Sequence, residues 1–140
     1  MNAKSELSDA EYRKLLDFRT GIRRFIHWSD EQAGAIGLTP AQHQLLLAIR
    51  GHDDPLGPTV GDVAQYLLLR HHSAVGLVDR AESAGFVARH TDPVDQRVVR
   101  LRLTQLGTRR LRQLSSLHSE ELNRLAPRVR ALWSGLDGTA

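Results

Sequence analysis

The stretch HSAVGLVDRAESAGFVARHTDPVDQRVVRLRLTQLG, residues 72–107, contains a change of hydrophobic period that decides the fold. In its first part the apolar residues recur at intervals of three and four: Ala74, Leu77, Val78 and Ala81. This spacing is typical of one buried face of an α-helix. Gly85 stands where a glycine commonly follows a helix. The first part therefore predicts a short helix.

Beyond Gly85 the period falls to two. Residues 86–89 predict a short strand, and the alternation over residues 98–103 predicts a second strand. The polar residues 90–97 between them predict a hairpin loop. The stretch thus encodes a helix followed by a two-stranded hairpin.

The residues before this stretch predict two further helices. Thr39-Pro40 is typical of a helix start, and it predicts a helix that ends at Gly51. Thr59 with Asp62 is a capping signature, and it predicts a second helix that ends at about Leu68. Two short helices separated by one or two residues form a helix-turn-helix. With the hairpin, residues 39–104 are predicted to form a winged helix-turn-helix lobe.

Both ends of the chain carry long apolar stripes. Residues 8–36 predict one amphipathic helix, and residues 105–137 predict helix with a coiled-coil seam: Leu122, Leu125, Val129, Leu132 and Leu136. Pro127 predicts two helices or a kink. A domain this small cannot bury both stripes, so we expect dimerisation helices of a symmetric homodimer. The fold class is mainly α (α+β), a single domain over residues 1–140.

Composition excludes several classes of protein. The chain has 140 residues, 41% of them hydrophobic, and no cysteine, which removes disulfides and thiol chemistry. No apolar run approaches the ~20 residues of a membrane span. The N-terminus shows no apolar leader segment, so we expect a cytoplasmic protein without a membrane partner.

Basic residues are concentrated in the third quarter of the chain. Residues 70–112 hold nine arginines against four acidic residues, whereas the whole chain has a net charge of only +3. Such a block suits a polyanion, and the planar fork of arginine suits phosphate and guanine. The alternative is an ordinary solvated charged face.

The second helix of the helix-turn-helix supplies candidate DNA-reading residues, because the first turns of such a helix reach base edges. The candidates are Arg70, His71, His72, Ser73, Val75 and, further along, Arg80. Gly76 lies on the exposed face, where glycine costs roughly 1 kcal/mol relative to alanine. It either permits close approach of a nucleic-acid backbone or is a tolerated defect.

The hairpin tip and one helix start supply further candidates. Arg97 is predicted to enter a minor groove with Asp95 holding its guanidinium; the alternative is a surface ion pair. Three flanking arginines are predicted to meet phosphates: Arg89, Arg100 and Arg102. Thr59 is predicted to offer a phosphate its hydroxyl and the N–H groups of a helix start.

Four segments of the chain resemble the MarR-type winged-helix transcription regulators: GLTPAQHQLLLAIR (37–50), TVGDVAQYL (59–67), HSAVGLVDRAESAGFVAR (72–89) and DPVDQRVVRLRLTQLG (92–107). The most specific feature is the D-x-R tip formed by Asp95, Gln96 and Arg97. The resemblance implies a homodimeric regulator, most often a repressor, on double-stranded DNA with pseudo-palindromic operators. It also implies release by a small aromatic or phenolic effector. The alternative is a winged-helix module that binds protein without specific DNA binding.

An effector pocket is predicted from aromatic and cationic residues on the first two helices: Arg24, Phe25, His27, Trp28, His43 and Leu47. The alternative is that Phe25 and Leu47 are core residues and that Trp28 and the histidines are partly wet surface. The adjacent pair His71-His72 has poor spacing for chelation, so we expect no metal and no cofactor. No catalytic motif is present, and we expect no enzyme.

Overall fold

The structure of the protein is a computed structural model that describes the backbone of residues 5–134 and the side chains of residues 5–131. The elements in these residues follow one another along the chain as α1 (Asp9–Ala35), α2 (Pro40–Gly51), α3 (Val60–Leu67), α4 (His71–Ser83), β1 (Val87–Thr91), β2 (Val99–Leu103) and α5 (Gln105–Ser134). This order confirms the mainly α class with a small β hairpin.

The first three helices begin with reciprocal side-chain caps, as their sequences predict. The Glu11 carboxylate accepts the Ser8 N–H at 2.7 Å, and the Ser8 hydroxyl accepts the Glu11 N–H at 3.2 Å. Thr39 caps α2 and Thr59 caps α3 in the same way. Each cap satisfies amides that the first turn of a helix leaves without partners.

The chain forms two compact units, and α1 and α5 contribute to both. The central unit runs from Gln32 to Ser116 and holds a continuous hydrophobic core. Its largest fully buried side chains are Leu45, Leu46, Leu101, Leu114, Val63, Val78, Val87 and Pro58. The unit is wider than the predicted lobe of residues 39–104, because Ala33 and Leu114 are also part of this core. The start of α5 therefore contributes to the core of the central unit.

The wing of the central unit is an antiparallel hairpin in which Val87 pairs with Leu103 and Thr91 with Val99. The first strand lies later than predicted, because it begins at Val87 and includes His90 and Thr91. The polarity of the half-buried His90 and the exposed Thr91 predicts a loop, but both residues pair with β2 in the ladder. The wing loop is correspondingly shorter, from residue 92 to residue 98.

The junction between the wing and α5 is closely packed. The Thr104 hydroxyl donates to the Gly85 carbonyl at 2.6 Å and accepts the Gly107 N–H at 3.0 Å. A Cβ at Gly107 would overlap the backbone carbonyl of Phe86, closer than 3.0 Å. The two Thr104 bonds and this close approach explain why Thr104 and Gly107 end the segment DPVDQRVVRLRLTQLG.

α5 is one helix from Gln105 to Ser134 with Pro127 inside it, so of the two predicted outcomes, two helices or a kink, the first is wrong. Proline removes one hydrogen bond, the one to the carbonyl of Asn123. Asn123 and Pro127 are both exposed, so water can reach that carbonyl. The seam residue Leu136 lies outside the described residues, as do the last residues of the predicted dimerisation helix.

Candidate nucleic-acid interface

The start of α4 presents polar side chains to solvent. Arg70 is its N-cap residue and makes no side-chain capping hydrogen bond, unlike the caps of α2 and α3. Arg70, His71 and His72 are exposed, and Ser73 is half-buried. The first-turn amides of α4 therefore lie among basic and polar side chains, an arrangement that favours an anion.

The middle of α4 presents Gly76 and Arg80. Gly76 and Val75 are half-buried, and Arg80 is exposed. A Cβ built on Gly76 would lie 3.2 Å from Nη1 of Arg80 and 4.0 Å from its Cζ. The guanidinium of Arg80 therefore lies directly beside the glycine, on the exposed side of the helix.

Arg89 of β1 binds two carboxylates of α4. Its guanidinium donates to Asp79 Oδ1 at 2.5 Å and to Glu82 Oε1 at 2.7 Å. The hydrogen bond to Asp79 is the main cause that raises the pKa of Arg89 above its ordinary value. Arg89 is therefore not the phosphate contact that the sequence predicts. Its hydrogen bonds connect the wing to α4.

Asp92 organises the wing loop, a role that the sequence analysis missed. It is buried, and its Oδ1 accepts the N–H groups of Val94 at 2.8 Å and of Asp95 at 2.9 Å. Its Oδ2 accepts Nε of Arg100 at 3.0 Å. The backbone hydrogen bonds from Asp95 and Val94 come first among the causes that lower the pKa of Asp92, with Arg100 adding to them. The Asp-Pro pair at 92–93 is the available signal, since aspartate before proline favours a turn.

Arg100 is also part of the wing's framework. Its side chain is only 19% exposed and contacts Asp92 and Asp54. Its Nη1 donates to the Gly57 carbonyl at 3.2 Å, and the Leu101 N–H donates to the Pro58 carbonyl at 2.8 Å. The loop before α3 is thus bound to β2, and Arg100 is not the free phosphate ligand that its position predicts.

Arg97 stands at the wing tip with its side chain 90% exposed. Its Nε and Nη2 donate to the two carboxylate oxygens of Asp95, each at 3.1 Å, and its N–H donates to Asp95 Oδ1 at 3.1 Å. These bonds lower the pKa of Asp95, the side-chain bond most strongly. The neighbouring Gln96 is exposed. Asp95 therefore orients a guanidinium that still faces solvent.

The hydrogen bonds of Thr59 differ in part from the predicted contact with a phosphate. Its N–H donates to Asp62 Oδ2 at 2.9 Å, and its hydroxyl accepts the Asp62 N–H at 3.1 Å. The capping box therefore already uses the Thr59 N–H and places a carboxylate beside it. The hydroxyl and the next amides of α3 are the groups that a phosphate would meet.

A protein-family model for the MarR family matches residues 36–98, which run from before α2 through the wing loop. Over these residues the central unit, a winged helix, is similar to the MarR family. No curated protein sequence matches the chain.

Solved structures share the fold over most of the chain. A MarR family protein from Bacillus stearothermophilus is 28% identical, with 86% of this chain and 83% of that chain covered and a TM-score of 0.70. YusO from Bacillus subtilis is 19% identical, with 96% and 100% covered and a TM-score of 0.67. MepR from S. aureus, solved as a complex with DNA, is 20% identical, with 88% and 85% covered and a TM-score of 0.67.

The arginines of the central unit fall into two groups. All four acidic residues of the block 70–112 pair with just three arginines: Arg89, Arg97 and Arg100. The other arginines of the block make no ion pair with any residue from 5 to 131: Arg70, Arg80, Arg102, Arg109, Arg110 and Arg112. The surplus positive charge of residues 70–112 is therefore not neutralised by ion pairs with the described residues.

The predicted effector residues lie on different units. Arg24, Phe25, His27 and Trp28 lie in the terminal unit, and His43 and Leu47 lie on α2 in the central unit. His43 is buried and Leu47 is 54% exposed, so the alternative is wrong for these two residues, whereas His27 is exposed and Trp28 half-buried, as the alternative has them.

An aromatic cluster in the terminal unit includes a residue that the sequence analysis missed. The rings of Phe25 and Trp28 lie 5.9 Å and 4.9 Å from the ring of His118 on α5. Nε2 of His118 is 2.6 Å from the Ser29 hydroxyl. Sequence spacing gives no signal for this contact, because the partners are 89 residues apart.

Two classes of site have no support within the described part of the chain. No group of three or more His, Asp or Glu side chains there is placed to hold a metal ion. No helix there has the length and apolar character needed to cross a bilayer.

Proposed function

We propose that the protein is a homodimeric, sequence-specific DNA-binding transcriptional regulator, a repressor of pseudo-palindromic operators. The observation that carries the proposal is Arg97, whose guanidinium is oriented by Asp95 at an exposed wing tip. An arginine held in this way suits the narrow, electronegative minor groove. α4, with its exposed basic start, would enter the adjacent major groove.

The displayed arginines support a polyanionic partner. Six arginines of the block 70–112 keep their charge without an acidic partner among the described residues, and they add to Arg97 at the wing tip. The MepR structure supports the same function by likeness, because that protein was solved with DNA on the same fold. The proposal places this protein with DNA in the cytoplasm.

The terminal unit supports the homodimer. Large apolar side chains remain exposed along α1 and α5: Leu15, Leu16, Ile22, Ile26, Leu117, Leu122 and Val129. An exposed apolar stripe on long helices is typical of an interface with a second copy. Two copies would place two α4 helices about 34 Å apart on one face of the duplex.

The aromatic cluster supports a small aromatic or phenolic effector. Phe25, Trp28 and His118 offer ring faces beside the Ser29 hydroxyl, and Arg24 on the same helix is an exposed cation. Such a ligand releases DNA only if it binds the DNA-competent dimer less tightly than the incompetent one.

The first test measures binding of the wild-type chain to random-sequence duplex by fluorescence anisotropy. At about 50 mM salt the protein is expected to bind, and the affinity is expected to fall at least a hundredfold by about 200 mM, because each neutralised phosphate releases counterions. A protein-binding module would show almost no affinity at either salt concentration.

The second test replaces Arg97 by alanine. The variant is expected to lose about tenfold to a hundredfold in affinity for a selected operator, the scale of one charged hydrogen-bonding group, while its Tm falls only slightly, because the lost ion pair with Asp95 is exposed. Arg13→Ala is the matched control, because Arg13 is an exposed arginine of the terminal unit. Equal affinities for wild type and Arg97→Ala would remove the wing from the proposal.

A further inference from the structure

Arg80 occupies the space that a side chain at position 76 would fill. A Cβ built on Gly76 would lie 3.2 Å from the Nη1 atom of Arg80. Side chains on a helix lean toward its N-terminus, so a residue covers the one four positions earlier. The guanidinium of Arg80 therefore sits about 6 Å closer to the start of α4 than its own backbone does.

The carboxylates nearest to Arg80 in the sequence do not hold it there. Asp79 and Glu82 both bind Arg89 of β1. Among the residues that the structure describes, Arg80 has no ion-pair partner, and it is exposed. Its hydrogen-bond donors are consequently available to a ligand on the outer face of α4.

We propose that Gly76 is a specificity-determining position that acts through Arg80. The absence of a side chain at 76 lets the Arg80 guanidinium lie against the outer face of α4, where it reads a guanine edge in the major groove. Arginine donates two hydrogen bonds to O6 and N7 of guanine, which is the commonest specific contact of this kind. This inference rests on the proposed function and assigns its base-reading residue.

The proposal predicts opposite effects of one substitution on stability and on recognition. Alanine at 76 favours the helix, so Gly76→Ala is expected to raise the Tm by about 3 °C. Its Cβ at 3.2 Å from Nη1 is tighter than nine in ten real contacts, and the flexible end of Arg80 yields at little cost. The guanidinium is then displaced from the position in which both of its bonds to guanine form.

The experiment compares six proteins by selection from a random duplex pool, followed by affinities for single base-pair replacements. They are the wild type, Gly76→Ala, Arg80→Ala, the double variant, Arg80→Lys and a control variant, Gly51→Ala. Wild type is expected to prefer guanine at one position of each half-site. Arg80→Ala and Arg80→Lys lose that preference, roughly 5- to 150-fold, because lysine keeps the charge without the fork.

The double variant isolates the coupling between the two positions. Gly76→Ala alone weakens the guanine preference, and it has no further effect once Arg80 is alanine, as expected when one position acts through the other. Gly51→Ala is the matched control, since Gly51 is a helical glycine of the same unit with open space around it. Its selected sequence is expected to equal that of wild type.

Three results would overturn the inference in distinguishable ways. A symmetric wild-type consensus that all variants share would remove it and leave the proposed function standing. A uniform loss of affinity for Arg80→Ala, restored by lysine, would make Arg80 a phosphate contact. A wild type that selects no sequence at all would remove the proposed function together with this inference.

Discussion

Replacing Gly57 by alanine tests the contact between the loop before α3 and the wing. Gly57 has φ +90, and a Cβ there would overlap the backbone carbonyl of Leu101. The same segment accepts two hydrogen bonds from β2: Arg100 Nη1 donates to the Gly57 carbonyl, and the Leu101 N–H donates to the Pro58 carbonyl. The substitution therefore strains the loop and pushes it away from β2.

The magnitude follows from two contributions. A left-handed conformation costs an L-residue roughly 1–2 kcal/mol, and steric overlap with backbone adds roughly 1–3 kcal/mol. Gly57→Ala is therefore expected to lower the free energy of unfolding by roughly 2–5 kcal/mol. Gly37→Ala is the matched control, because Gly37 has φ +82 with nothing within 4 Å of the added Cβ. The control should lose only the conformational part, roughly 1–2 kcal/mol.

Urea unfolding of both variants at one protomer concentration measures the difference, since a dimer's apparent stability depends on concentration. Equal losses for Gly57→Ala and Gly37→Ala would refute the close approach of the loop to β2. A loss below about 0.5 kcal/mol for Gly57→Ala would refute the left-handed conformation as well.

Three further predictions concern other parts of the molecule. The pKa values of Asp92 and Asp95 are lowered in the folded state, so the stabilisation by these carboxylates is complete above the unfolded-state pKa of about 4 and is lost as the pH falls through the folded-state values. The stability difference between wild type and Asp92→Asn, measured by urea unfolding, should therefore shrink from pH ~6 to pH ~2. A constant difference would contradict the role of Asp92. Gly107→Ala, whose Cβ would overlap the Phe86 carbonyl, should lower the Tm of the fold in calorimetry, and an unchanged Tm would contradict that packing. Ile22→Glu should convert a dimer of about 31 kDa into a 15.6 kDa monomer in sedimentation, because it places a charge in the exposed apolar stripe; a dimer of unchanged affinity would move the interface elsewhere.

The elements of the fold were predictable from sequence where their signals are local. Capping pairs such as Thr59 and Asp62 lie three residues apart, and the buried face of α4 repeats at three and four, so neighbours in sequence carry the whole pattern. Pro127 does not divide α5 into two helices, because water can reach the carbonyl of the exposed Asn123 that the proline leaves without its hydrogen bond.

The candidate site was predictable in its exposed residues but not in its framework. Arg97 and Asp95 are two residues apart, and their pairing follows from the hairpin tip alone. The sequence predicts that Arg89 and Arg100 meet phosphates, because nothing local shows that α4 and the loop before α3 pack against the wing and bring Asp79 and Gly57 to them. The arginines that form structural ion pairs can therefore be told apart from the unpaired arginines of the same block only when the fold is known.

The central claim is that a paired scaffold presents two reading helices and two wings to one duplex. Selection of bound duplexes from a random pool by the wild-type protein tests it most directly. The account predicts a two-fold symmetric consensus with half-site centres about one helical turn, ~34 Å, apart. A single asymmetric half-site, or a pool that remains random after repeated rounds, would contradict it.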